Sequence, residues 1–124
     1  MNYSSKVIES NKNLTAKEQL ILTELTDAIK LDSELDNGDL VIKPESYVVI
    51  QVHNEKASNK DYIVYIIQDE NGSKYYTSSN SFWSAFENIK DVMNDNGETD
   101  WCIKCYKKPS KNYSGKMFIT CSVI

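Results

Sequence analysis

The sequence predicts a mainly β, α+β fold, and three observations carry that prediction. From Leu40 onward the apolar residues recur with a period of two over most of the chain. Turn signals punctuate these runs, above all Asn71-Gly72 and the loop PSKNYSG between residues 109 and 115. Two stretches, one after Thr15 and one after Ser79, switch to helical spacing. At 124 residues the chain is long enough for one domain with a core of its own.

Residues 1–13 are polar and non-periodic and read as a flexible arm. Thr15-Ala16-Lys17-Glu18 is a capping box, in which a threonine oxygen takes one orphan amide and the glutamate reaches back to another. The helix behind it is expected to run to about Leu31, with Leu14, Ile21, Leu22, Leu25, Ala28 and Ile29 as its packing stripe. Asp32–Asp39, DSELDNGD, follows as an acidic turn. Residues 14–39 are thus an N-terminal helix and turn packed on the domain formed by residues 40–124.

Within that domain, Leu40–Lys43 is a short strand stopped or bulged at Pro44. Tyr47–His53 continues it, and Asn54–Lys60 is a polar loop. Asp61–Gln68 is a strand apolar on both faces, and Asn71-Gly72 predicts a type I′ hairpin into Ser73–Ser78. That turn sets Gln68 opposite Tyr75, Ile67 opposite Tyr76 and Ile66 opposite Thr77. The face with Tyr62, Val64, Ile66, Gln68, Tyr75 and Thr77 is expected to be the exposed one. Ser79 or Asn80 caps a second helix, in which Phe82, Phe86, Ile89 and Met93 form a buried stripe. Two strands complete the chain, Trp101–Lys107 and Lys116–Ile124.

Three strands in a meander, a helix and a closing hairpin make the order of a five-stranded OB-fold Greek-key barrel. Here it carries an N-terminal helix and a helix between strands 3 and 4. That fold binds oligonucleotides on strands 2 and 3, between the loops joining strands 1–2 and 4–5.

Charge points to the same place. Residues 101–124 hold five lysines and no carboxylate side chain, against a net charge of −4 for the whole chain, so everything upstream sums to −9. A ligand responds to the local field of one face, which makes this asymmetry more informative than the sum. All basic residues are lysine. Without guanidinium forks, bidentate readout of guanine in duplex DNA is disfavoured, whereas point charges suit phosphate neutralisation. The expected cleft has Lys56 and Lys60 on one wall and the Tyr62–Thr77 hairpin as its floor. Lys104, Lys107, Lys108, Lys111 and Lys116 stand opposite as phosphate contacts. Tyr62, Tyr75, Tyr106 and Tyr113 are the candidates for stacking on bases. Strand parity turns Lys104, Tyr106, Lys116 and Phe118 toward a ligand and leaves Trp101, Ile103, Cys105 and Ile119 to the core.

Other chemistry finds little support. Cys102 and Cys105, three apart on a strand, point to opposite faces and cannot converge on one metal. Cys121 falls near Cys105 across the closing hairpin. His53 is the lone imidazole, no Gly-rich phosphate loop is present, and no nucleophile, base and orienter come together. No enzyme activity, cofactor or metal is expected. No apolar run approaches the roughly 20 residues of a membrane span, and the first residues lack a signal-peptide core, so a cytoplasmic protein with reduced thiols is expected.

At GSKYYTSSNSFWSAFENI (Gly72–Ile89) and PSKNYSGKMFITCSVI (Pro109–Ile124) the chain resembles single-stranded-DNA-binding proteins of phages that infect low-GC Gram-positive bacteria. The resemblance covers about two thirds of the chain and rests on short motifs. It implies an OB-fold that coats single strands in host cytoplasm during phage replication or recombination, with oligomerisation and replication or recombination proteins as further partners. It assigns strand contact to Lys107, Lys108, Lys111, Tyr113 and Lys116, and stacking to Tyr75 or Tyr76. Related bacterial proteins recruit partners through an acidic C-terminal tail, whereas this sequence stops at Ile124 in its last strand. Single-stranded DNA is thus the expected ligand, with RNA as its alternative. The rival reading is a phage-borne protein–protein interaction module, an inhibitor of a host nuclease or defence complex whose acidic part mimics nucleic acid.

Overall fold

A computed structural model describes residues 3–11, 13–56, 61–110 and 115–124. The fold is mixed α+β, with eight strands in two sheets among the described residues. The chain divides into two compact units, Met1–Lys30 with Glu45–Ser78 and Leu31–Pro44 with Ser79–Ile124. The chain passes between them at 30/31, 44/45 and 78/79, and Pro44, which has no N–H for a central ladder, stands at the second of these.

The first unit is built on a sheet of five strands. They are β1 (Tyr3–Ser10), β2 (Ile29–Lys30), β4 (Pro44–Asn54, all but its first residue), β5 (Asp61–Asp69) and β6 (Lys74–Thr77), in the order β1-β4-β5-β6-β2. Residues 1–13, expected to be a flexible arm, instead supply β1, antiparallel to β4 with a bulge between Val7 and Glu9. Its tie to the sheet is extended by Asn11, whose side chain accepts from Tyr47 N and donates to Glu45 O.

The capping box forms, with Glu18 N donating to Thr15 Oγ1 and Thr15 N to Glu18 Oε1, both at 3.1 Å. The helix it opens, α1 (Ala16–Leu22), is far shorter than expected. Thr23 turns its hydroxyl onto Gln19 O, the Glu24 carboxylate takes Thr26 N, and Lys74 Nζ donates to the carbonyls of Ile21 and Glu24. A cation at a helix C-terminus satisfies the orphan carbonyls, and the threonines compete for backbone groups, so the helix stops there. The chain then gives Ile29 and Lys30 to the edge of β6, parallel to Tyr75 and Tyr76.

Leu22, Val48, Ile50, Val52, Val64 and Ile66 form this unit's core cluster, and Val7, Leu14, Leu25, Tyr62 and Tyr76 pack against it. The β5–β6 register differs by one residue from the expected one: Gln68 pairs with Lys74, Ile67 with Tyr75, Ile66 with Tyr76 and Tyr65 with Thr77. The turn is the cause. A type I′ turn needs positive φ at both central residues, yet only Gly72 has it (φ +88°). Gly72 N donates to Asp69 O, Asp69 N to Ser73 O, and Asn71 N to the Asp69 carboxylate, a three-residue loop ending in a left-handed glycine. The face expected to be exposed is not: Val64 and Ile66 are buried on it, and the slip carries Thr77 to the other face, where it is buried beside Ile67.

The second unit holds a three-stranded sheet, β3 (Leu40–Ile42), β7 (Ile103–Pro109) and β8 (Met117–Val123), in the order β3-β7-β8. Helix α2 (Leu31–Glu34) and a 3-10 turn (Leu35–Asn37) replace the expected end of the first helix and its acidic turn. Helix α3 (Asn80–Asp95) starts as expected, with Ser79 Oγ accepting from Phe82 N. It lies along β8, and Ser81 Oγ donates to Ile119 O. Phe82, Trp83 and Phe86 are buried on it. Phe86 meets Trp83 with ring centres at 4.9 Å, Phe82 at 6.4 Å and Trp101 at 6.3 Å.

The expected strand neighbours are present: β4 beside β5, β5 beside β6, β3 beside β7 and β7 beside β8. The expected closed barrel is not. Closure would need the third and fifth strands of the OB order, β6 and β8, to share a ladder, and no such ladder occurs among the described residues. The free edge of β6 is taken by β2 instead.

Candidate nucleic-acid interface

Strand β7 alternates in burial over its first half, where Lys104 and Tyr106 each follow an apolar side chain. Ile103 and Cys105 are fully buried, and across the ladder they meet Val123 and Cys121. The intervening residues point the other way: Lys104 opposite Ser122, Tyr106 opposite Thr120 and Lys108 opposite Phe118. On the other flank Val41, half exposed, pairs with Lys104. One open sheet face therefore presents Lys104, Tyr106, Lys108 and Phe118 with the hydroxyls of Thr120 and Ser122. Tyr106 Oη lies 2.8 Å from Ser122 Oγ, which fixes the ring in its orientation. Tyr106 and Phe118 are diagonal neighbours across the ladder, about 7–8 Å apart, within reach of two successive flat groups.

Lys107 belongs to the opposite parity and reaches the Asp36 carboxylate. Lys104 Nζ lies 3.4 Å from Asp39 Oδ2. Lys116 is exposed just before β8, and its carbonyl accepts from Ser110 N at 2.9 Å. Lys111, Tyr113 and Lys60 lie outside the described residues.

The other expected contacts belong to the five-stranded sheet. Tyr62 and Tyr76 are packed against the core cluster rather than turned out as a platform. Tyr75, paired with Ile67, takes the opposite face. Lys56 is exposed after β4, its amide donating to Asn54 Oδ1. The expected residues therefore fall into two groups, one in each unit. Within the second unit Lys104, Tyr106, Lys108 and Phe118 come together. Asp36, Asp39 and Val41 were not among the expected site residues, since pairing them with the lysines requires knowing that β3 lies beside β7.

Two clusters of reactive side chains have structural explanations. Cys105 and Cys121 are direct cross-strand partners. Burial pushes the Cys121 thiol up to about 12 and the Cys105 thiol higher still, so both stay protonated at neutral pH and act as small apolar fillers. His53 Nδ1 sits 2.7 Å from Asp61 Oδ1 and its Nε2 2.5 Å from Glu55 Oε1. Both nitrogens can donate only in the imidazolium, and these bonds, Asp61 first, raise the His53 pKa above its ordinary value. The carboxylates sit on opposite ring nitrogens and do not converge. Among the described residues no group of three or more His, Cys, Asp or Glu could hold a metal ion. Among the same residues no helix is long and apolar enough to cross a membrane.

Comparison with protein-family models, with curated proteins and with solved structures finds no match to this chain.

Proposed function

We propose that this protein is a non-enzymatic, largely sequence-independent single-stranded-DNA-binding protein, and that its ligand lies on the open face of the β3-β7-β8 sheet. The observation that carries the reading is the interleaving of Lys104 and Lys108 with Tyr106 and Phe118 on one face, the tyrosine tied to Ser122. Lysine charges neutralise phosphates, and flat rings accept any base, each stacked base contributing about 1–3 kcal/mol. The absence of arginine from the sequence fits a binder that does not read base edges in a duplex. We read the strand order as an open form of the OB arrangement. The setting of phage replication or recombination rests on the resemblance of Gly72–Ile89 and Pro109–Ile124 alone.

Titrating labelled oligo-dT at several salt concentrations tests the proposal. Micromolar or tighter binding that weakens steeply with salt is expected, and Tyr106→Ala with Phe118→Ala should weaken it at least tenfold. No binding at low salt would end the reading. If a nuclease-treated host lysate then yielded a specific protein partner, the interaction-module alternative would replace it.

A further inference from the structure

Strand β7 has a counterion carried by its own chain. β3 covers only the first half of β7, ending its ladder at Leu40–Cys105. Beyond Cys105 the 3-10 turn Leu35–Asn37 comes alongside. Asp36, in that turn, accepts a hydrogen bond from Lys107 Nζ, and Asp39, just after it, lies 3.4 Å from Lys104 Nζ. Lys104 and Lys107 point to opposite faces of β7, yet both reach this one segment. All four side chains are partly exposed, so the pairs contribute little to stability. They do occupy Lys104, on the open face, and Lys107, which reaches the same flank of β7 from the other face, so that a phosphate backbone leaving the open face over that flank would use both.

We propose that Asp36 and Asp39 form a built-in competitor, which holds Lys104 and Lys107 until a polyanion displaces it. The inference rests on the single-strand-binding reading above. A tethered carboxylate acts at a high effective concentration, on the order of millimolar or more. A nucleoside monophosphate offers one phosphate group and cannot displace both carboxylates together. A strand with successive phosphates on β7 can. The acidic turn thereby favours strands over mononucleotides. It also makes binding less salt-dependent than the lysine count implies, because salt screens the internal pairs as well as the external ones.

The test compares full-length wild type, Asp36→Asn with Asp39→Asn, and a charge-matched control, Asp95→Asn with Glu98→Asn, in anisotropy titrations with labelled oligo-dT. Thermal melts verify that all are folded. At low salt the Asp36/Asp39 variant should bind at least about threefold tighter than the control, an advantage that shrinks as salt screens the pairs. The gain should vanish when Lys104→Gln and Lys107→Gln are added. Equal affinity of variant and control, or a gain that survives the lysine changes, overturns the competitor while leaving single-strand binding in place. No binding by either wild type or the Asp36/Asp39 variant overturns both.

Discussion

The two sheets treat their aromatic residues in opposite ways. In the five-stranded sheet Tyr62 and Tyr76 lie against a core of Val48, Ile50, Val52, Val64 and Ile66. In the three-stranded sheet Tyr106 and Phe118 stay on the side away from buried Ile103, Cys105 and Ile119. The difference comes from neighbours along each strand. In β7 a lysine precedes and follows Tyr106's two flanking positions in alternation with Ile103 and Cys105, so only one face is apolar enough to bury. In β5 the run Tyr62–Ile67 is apolar on both faces, and the turn at Gly72 decides which of Tyr75 and Tyr76 joins the face of Ile66. An aromatic residue is therefore a credible ligand platform where alternation with charge fixes its face, and a poor one where register does.

Breaking this contrast gives effects of graded size. Phe86 is fully buried and touches Phe82, Trp83 and Trp101. Phe86→Ala should cost about 3–5 kcal/mol by denaturant unfolding. On the open face, half-buried Phe118→Ala should cost less stability than Phe86→Ala and weaken oligo-dT binding by about 1–3 kcal/mol. Tyr62→Ala should do the reverse, lowering stability by a few kcal/mol while affinity at temperatures where the protein is folded stays the same. Gly72 holds a left-handed conformation with φ +88°, so Gly72→Ala should cost about 1–2 kcal/mol, read as a lower melting temperature.

The smallest effect is a pH dependence. His53 has a folded pKa raised by Asp61 and Glu55, so its stabilisation is fully present below the unfolded value of about 6.5 and fades as pH rises through the higher folded value. Melting temperature followed from pH 6 to pH 8 should fall more in wild type than in His53→Gln. Parallel curves would show that the imidazolium clasp contributes nothing.

How much of this was legible in the sequence follows the same contrast. The capping box at Thr15, the Ser79 cap of α3 and the parity of β7 and β8 were readable because each rests on local chemistry. The length of α1 was not, because its end is set by Lys74, more than fifty residues away. The strand at Tyr3–Ser10 was hidden because an edge strand takes its order from β4 rather than from its own pattern. The β5–β6 register was missed because Asn71-Gly72 also serves a longer loop, one in which the Asp69 side chain binds Asn71 N. Barrel closure depended on β6 choosing β8, and the sequence shows no trace of the two-residue β2 that takes that edge.

The central claim is that the single strand lies on the open face of β7 and β8. Mapping backbone amide shifts during an oligo-dT titration tests it most directly. Shifts clustered at Lys104, Tyr106, Lys108, Phe118, Thr120 and Ser122 are the predicted result. Shifts confined to Tyr62–Thr77, or none at all, would contradict it.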